Sequence, residues 1–469
     1  MRLLLILNIL SVYCEFNVGL SIPPIPWSVL YGEPLYLTPL IEENNITEAK
    51  ELAQVNLKQS HAALTDVESY SGLFVVNKEY NSSLFHWYFV AEEEPETAPL
   101  LLWLNGGPGT SSMLGLFQAH GPFQITEDLE LEPREYHWTK NHHVVYIDSP
   151  VGTGFSHTGS EEGYSKNTDD VSINLHEALE QFFKLWPNLK NNDFYLTGES
   201  YSGKYLPNLA HLILEKGIFE NFKGVAIGNG FIDADVQLKG FGDYLYQQGF
   251  VDEATKEEFT KKEQKCSEIV EAVENNSVPM DDPEFIQPCR DLLDPFSNKT
   301  LFANATGYGY VYNVLTSNPP TVQRYRLDQY LKKSSVHRHM HIGRLERLQQ
   351  QEYVQKQLGA SIVLSEKNHV EELLAKNYKV LIYNGQLDVL FPYVITVNLI
   401  KTLDFEHMDE YNKAERFIWK VDDEVAGYIK SAGSLTEVMV IGAGHMVPQD
   451  QPKRAWDLIT KFTRNELPK

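Results

Sequence analysis

A serine set among small residues, directly after an apolar run, is the group in this chain best suited to covalent chemistry. Gly198-Glu199-Ser200-Tyr201-Ser202-Gly203 follows Phe194 to Thr197. A serine on a strand-to-helix turn needs small neighbours, because the backbone bends sharply there to hold the hydroxyl out above the sheet edge. Ser202 stands where the strict G-x-S-x-G spacing would have its last glycine. A serine nucleophile also requires a base for its proton and a carboxylate to orient that base and stabilise its cation. Both types occur downstream in glycine-bearing turns: Asp388 in Tyr383-Asn384-Gly385-Gln386-Leu387-Asp388 and His445 in Gly442-Ala443-Gly444-His445-Met446. One Asp or His after a strand is more often a surface turn residue, but two in this order are hard to reach by accident. An oxyanion would have to be met by backbone N–H groups already aimed at it. Trp103-Leu104-Asn105-Gly106-Gly107-Pro108-Gly109 supplies such a loop, and the amides of Gly107 and Tyr201 are the expected pair.

Two other chemistries compete. Gly198 to Lys204 satisfies most of a phosphate-binding loop, yet Tyr205 replaces the small hydroxyl residue that would hold magnesium, and Glu199 would repel phosphates. His337, His339 and His341 form a dense cluster, but no cysteine or H-E-x-x-H pattern accompanies it, so it reads as solvated or structural. No metal and no cofactor is expected.

These groups must be positioned by a sheet. Apolar runs at Leu73 to Val76, Leu84 to Val90, Pro99 to Leu104, Val144 to Ile147, Phe194 to Thr197, Gly224 to Gly228, Val380 to Tyr383 and Val438 to Ile441 read as strands. Helical patterns such as Val171 to Leu185 and Tyr205 to Leu214 lie between several of them. That alternation predicts an α/β fold with a mostly parallel central sheet and helices on both faces. The order Ser, Asp, His is the one used by α/β-hydrolases. Residues 22–232 and 378–469 read as the two parts of this core, and the charged, helix-rich stretch 233–377 as an inserted cap.

The composition bounds the setting. With 469 residues, 42% of them apolar, the chain can bury a large core. A formal net charge of −24 argues against nucleic acid as a partner. Arg2, the apolar run Leu3 to Val12 and the small or polar residues beyond it read as a secretory signal over residues 1–21. No later run is long enough for a membrane span. Asn45, Asn81, Asn275, Asn298 and Asn304 stand in N-x-S/T sequons, as a secretory protein's glycosylation sites would. After signal removal Cys266 and Cys289 are the remaining cysteines, and an oxidising lumen would join them; two separate thiols are the alternative. Residues 22–60 read either as a removable pro-segment or as an extension wrapped on the core.

The runs WLNGGPGTSS, SPVGTGFS, GESYSGKY, NGQLDVL and GAGHMVP resemble those of the serine carboxypeptidases, with flanking text most similar to the vitellogenic carboxypeptidase-like branch. The resemblance covers residue 30 to the C-terminus. It implies an α/β-hydrolase with a cap that removes single residues from peptide C-termini at acid pH, in a lysosome-like or yolk compartment, and it allows a homodimer. It also implies a triad of Ser200, Asp388 and His445, with Asn105, Gly106 and Glu199 gripping the substrate's terminal carboxylate. One carboxylate holds another only if one carries a proton, hence the acid preference. An apolar C-terminal residue is the expected preference.

The chain departs from the family pattern twice: Thr110 replaces a cysteine after Gly-Pro-Gly, and Ala119 replaces a glutamate that would pair with Glu199. The second loss leads us to expect Glu199 to titrate lower than in relatives. Acyl transfer to an alcohol, or a catalytically silent binding or storage role, are the alternatives on the same fold.

Overall fold

The computed structural model describes residues 27–56, 67–282, 284–293, 299–318, 321–345, 348–349 and 351–468. The signal segment and Asn298 lie outside them.

A 10-stranded sheet organises the chain. We number its strands β1 (Ser69–Asn77), β2 (Ser82–Phe89), β3 (Leu100–Leu104), β4 (His143–Ile147), β5 (Phe194–Glu199), β6 (Phe222–Gly228), β7 (Lys379–Gly385), β8 (Phe417–Val421), β9 (Glu424–Ala432) and β10 (Leu435–Val440). The spatial order is β1-β2-β4-β3-β5-β6-β7-β10-β9-β8. The six central strands, β4 through β10 in that order, run parallel, and antiparallel pairs extend both sides. Each of the eight runs read from the sequence falls on one of these strands. The central strands are apolar almost without interruption, β3 being Leu-Leu-Leu-Trp-Leu and fully buried, because layers on both faces exclude water.

Strands β8 and β9 escaped the sequence reading. β8 is a short, largely exposed edge in which Lys420 interrupts the apolar residues, so no long run marks it. The available signal was Asp422-Asp423, both at positive φ (52° and 62°), which turns one strand back along the other.

Helices cover the sheet. α1 (Thr38–Glu42), α2 (Ile46–Ala53) and α3 (Thr168–Leu185) lie near β1, and α4 (Ser202–Lys216) starts immediately after β5. Asn167 caps α3 by accepting from Asp170 N at 2.8 Å, and α4 ends on Gly217 in the left-handed conformation.

The segment between β6 and β7, two adjacent parallel strands, is helical and long. Its longest helix, α5 (Glu253–Glu274), carries Cys266, and a disulfide joins this residue to Cys289 in α6 (Gln287–Leu293). The insertion is more than a lid. Leu327, Tyr330, Val336 and Met340 pack into the core cluster that holds Trp87 and Phe117, and α7 (Lys367–Ala375) packs on α4. Among the described residues no helix is long and apolar enough to cross a membrane.

The extension before β1 is stitched into the core. Leu37 N donates to Leu73 O and Leu73 N to Leu35 O, both at 2.9 Å, and Val55 N donates to Ser69 O at 2.8 Å. Thr38 Oγ1 donates to Gln181 Oε1 at 2.6 Å while accepting from Val75 N at 2.7 Å. Leu37, Ala49 and Ala53 are completely buried. Residues 35–55 therefore supply packing that the sheet would otherwise lack. Leu37→Ala should cost about 2–5 kcal/mol in denaturant unfolding, whereas Val29→Ala, at a position 60% exposed, should stay within about 0.5 kcal/mol. A Leu37→Ala cost as small as that of Val29→Ala would return residues 35–55 to the status of a removable segment.

Candidate active site

Four strand ends present the residues singled out in the sequence. Asn105 and Gly106 follow β3, Glu199 ends β5 with Ser200 next, Asp388 lies on the turn after β7, and His445 on the turn after β10. These are all carboxyl ends of parallel strands, where an open α/β sheet leaves its crevice.

Ser200 sits at φ 63°, a conformation a non-glycine residue adopts only under constraint. The constraint is visible: Ser200 N donates to Gly228 O, and Ser200 O accepts from Gly203 N and Phe231 N, each at 2.9 Å. Gly106 is required by contact. A Cβ there would lie 2.4 Å from Tyr201 N and 2.8 Å from Glu199 O, so only glycine lets the β3 loop approach the serine turn. Gly107 and Tyr201, the expected amide donors, border the same open, mainly apolar cleft as Ser200.

Asp388 and His445 are joined and buried. His445 Nδ1 lies 2.9 Å from Asp388 Oδ2, and the two side chains are 1% and 0% exposed. The carboxylate is fully engaged, accepting from Asn229 Nδ2 at 2.6 Å on Oδ2 and from Leu390 N at 2.8 Å on Oδ1. Burial pulls the imidazole's pKa down, but the Asp388 carboxylate and its hydrogen bond, helped by Glu199 and Asp450, hold it above the ordinary histidine value. The other ring nitrogen, Nε2, is buried and makes no hydrogen bond, so the ring is anchored through one nitrogen only.

Glu199 is held against Asn105. Asn105 Oδ1 accepts from Trp103 Nε1 at 2.8 Å and from Gly115 N at 3.0 Å. That fixes the amide so that Nδ2 donates to Glu199 Oε1 at 2.9 Å. Glu199 Oε2 is buried without a partner. Burial, opposed by His445 and the Asn105 bond and aided by Asp450 and Asp388, pushes the Glu199 pKa up to about 7. Ala119 is buried in the short helical turn Gly115–His120 and brings no acid. Desolvation, with no glutamate at position 119, is the main cause of that upward shift.

The remaining sequence candidates separate from this site. Thr110 Oγ1, at the position of the family's cysteine, accepts from Gln351 Nε2 at 3.2 Å, so the glycine loop is tied to the insertion by a hydrogen bond. Lys204 is completely buried, with its Nζ on the carbonyls of Ile232 and Leu364, which leaves no phosphate cradle. The ring nitrogens of His337 are taken up by Gly343 O and Leu331 O at 2.9 and 2.8 Å, and His341 Nδ1 lies 3.2 Å from Ser71 Oγ. Among the described residues no cluster of three His, Cys, Asp or Glu could hold a metal. Asn45, Asn81, Asn275 and Asn304 are exposed.

Asn229 and Asp450 were not picked out from the sequence. Asn229 follows β6, at φ 44°, and only the return of β7 beside β6 brings it to Asp388. Asp450 lies five residues beyond His445 on the short helix Val447–Asp450, in a turn that looks like a solvent-facing acid when read alone.

The serine carboxypeptidase family model matches residues 59–465. The chain is 42% identical over 445 residues to the venom serine carboxypeptidase of Apis mellifera, covering 93% of this chain and 92% of the relative. It is 42% identical over 440 residues to the probable serine carboxypeptidase CPVL of Homo sapiens, covering 92% and 90%. The vitellogenic carboxypeptidase of Aedes aegypti is 41% identical over 436 residues, with 92% and 90% covered. The fold matches that of Kex1Δp, a prohormone-processing carboxypeptidase from Saccharomyces cerevisiae, with a TM-score of 0.76 at 23% identity over 89% of this chain and 96% of that one. With the serine turn, the buried Asp–His pair and the buried Asn–Glu pair at the ends of one α/β-hydrolase sheet, this chain belongs to the serine carboxypeptidase family.

Proposed function

We propose that this serine-type carboxypeptidase releases single C-terminal residues from peptides in acid, with Ser200 as nucleophile, His445 as base and Asp388 as the carboxylate that orients it. The observation that carries the reading is the fully buried Asp388–His445 hydrogen bond, which leaves Nε2 unpaired on the ring that must take the serine proton. In the first step Ser200 Oγ bonds to the carbonyl carbon of the last peptide bond while its proton passes to His445. That proton then goes to the leaving amine as the C–N bond breaks. Water, deprotonated by His445, cleaves the acyl-enzyme and returns the serine. The amides of Gly107 and Tyr201 are assigned to the oxyanion.

Asn105, Gly106 and Glu199 are assigned to the terminal carboxylate. A protonated Glu199 can donate to that group, and an ionised one repels it. With its pKa at about 7, Glu199 is neutral in acid, so binding should weaken as pH rises through neutrality. The cleft beside Ser200 is walled by Phe231, Leu238, Leu390 and Phe391, which supports an apolar side chain next to the scissile bond. The Cys266–Cys289 disulfide and four exposed sequons support an oxidising secretory route; delivery to a lysosome-like or yolk compartment belongs to the same proposal.

The direct test is an N-blocked dipeptide with a free C-terminus, assayed at acid and neutral pH beside its C-terminal amide. Release should be faster in acid, poor from the amide, and lowered by about 10⁶-fold in kcat in Ser200→Ala. No release from either substrate, with transfer of the acyl group to an added alcohol, would replace hydrolysis by acyl transfer.

Glu199→Gln separates binding from chemistry. The amide mimics the neutral acid, so the rise of KM above pH 7 should disappear while kcat changes little; an unchanged KM profile would remove Glu199 from the carboxylate site. Stability should move as well. A carboxyl group whose folded pKa lies above its ordinary value of 4.5 binds more protons when folded, so the protein loses stability as pH rises from about 4.5 to about 7. The melting temperature of Glu199→Gln relative to the parent should therefore be higher at pH 8 than at pH 5.

A further inference from the structure

One stretch of the insertion, Tyr310 to Val314, leaves the helices of its own segment and runs between the two turns that carry Asp388 and His445. Val389 N and Leu390 N, just after Asp388, both donate to Val311 O, at 3.1 and 3.0 Å, and Val314 N donates to Leu387 O at 2.9 Å. On the other side His445 N donates to Tyr312 O at 2.6 Å, and the Tyr312 ring lies 4.5 Å from the imidazole, centroid to centroid. The approach is close enough to demand glycine. A Cβ on Gly444 would lie 2.1 Å from Tyr312 O, and one on Gly385 would lie 1.9 Å from Gly444 O. Strand end, histidine turn and strap are thus three backbones in direct contact.

Asp450 closes this arrangement with a side chain. Its Oδ2 accepts from Gly444 N at 2.7 Å, next to His445, and from Asn313 Nδ2 of the strap at 2.9 Å. It is half-buried; burial raises its pKa, while the bonds from Gly444 and Asn313 act against that and favour the carboxylate beside the base. The charged and titratable groups facing His445 are Asp388 from the β7 turn, Glu199 from the end of β5 and Asp450 from its own turn. From the strap come Tyr312, against the ring, and Tyr310, within electrostatic reach of the same three acids.

We infer that Asp450 is a positioning residue for the His445 base, and that Asn313 of the insertion holds it in place. The insertion then does more than cover the cleft: through Asn313 and the strap it fixes the turn on which the base stands. Asp450 keeps a negative charge beside that turn. The inference rests on the reading of His445 as base, and it predicts that the charge of Asp450, and not only its shape, affects how that base titrates.

The test is the rate of Ser200 inactivation by diisopropyl fluorophosphate from pH 4 to 8 in full-length protein, with kcat and KM on a blocked dipeptide alongside. The acid limb of inactivation reports the base without requiring a peptide to bind. Asp450→Asn keeps the shape and removes the charge, so the imidazole loses a stabilising neighbour and the limb should move to lower pH by about one unit. Asn313→Ala keeps the charge and frees it from the strap, so the plateau rate and kcat should fall on the order of tenfold to a hundredfold, with KM nearly unchanged. Melting temperatures identify variants that fail to fold. Should Asp450→Asn misfold, Asp450→Ser, which retains a small polar group at the turn, carries the charge test in its place. A limb that stays where it is in a folded Asp450 variant, or an unchanged plateau in Asn313→Ala, would overturn the inference. A parent protein that neither reacts with the reagent nor cleaves peptide would instead overturn the assignment of the triad itself.

Discussion

Three carboxyl groups, the buried Glu199 and Asp388 and the half-buried Asp450, surround the single imidazole of His445, and holding all three charges against one cation would be costly. The arrangement resolves the conflict by giving each acid a different environment. Asp388 receives the imidazole and two further donors, from Asn229 and Leu390, so its charge is compensated. Asp450 receives a backbone amide and Asn313. Glu199 has one donor on one oxygen and none on the other, and burial pushes its pKa up to about 7. The acid preference proposed for the enzyme follows from the burial of Glu199 with so little compensation.

The sheet makes this crowding possible. Parallel strands deliver their carboxyl ends to one edge, so residues far apart in sequence meet without long loops: Asn105 and Asn229 follow strands β3 and β6, Glu199 ends β5, and Asp388 and His445 follow β7 and β10. Close backbone approach is the remaining condition, and glycine meets it at Gly106 against the serine turn and at Gly444 against the strap. The strained φ of Ser200 persists because two backbone hydrogen bonds to the neighbouring segment, with Gly228 and Phe231, and one within the turn, from Gly203, fix it.

Much of this is legible in the sequence. The uninterrupted apolar runs of the central strands, the serine turn between small residues, and the Asp and His after later strands all carry local signals, because a strand buried on both faces and a sharp turn each restrict residue types at neighbouring positions. The edge hairpin Phe417–Ala432 was missed because a solvent-exposed edge imposes no such restriction. Asn229, Asn313 and Asp450 were missed for a related reason. A polar residue in a loop looks the same whether it faces water or a buried carboxylate, and only the neighbours supplied by the fold distinguish the two. The expectation for Glu199 leaned on the lost partner at Ala119, while the folded environment makes burial the larger influence.

The sequence by itself determined the order of elements, the nucleophile, base and acid candidates and the family resemblance, since these depend on residue type and on spacing along the chain. The tertiary structure alone decided which carboxylate is compensated and which has its pKa pushed up by burial, that residues 35–55 belong to the core, and that a strap from the insertion is hydrogen-bonded to both the turn of the acid and the turn of the base. Those outcomes depend on desolvation and on donors arriving from segments up to 159 residues away, and neither is encoded in any local stretch of the chain.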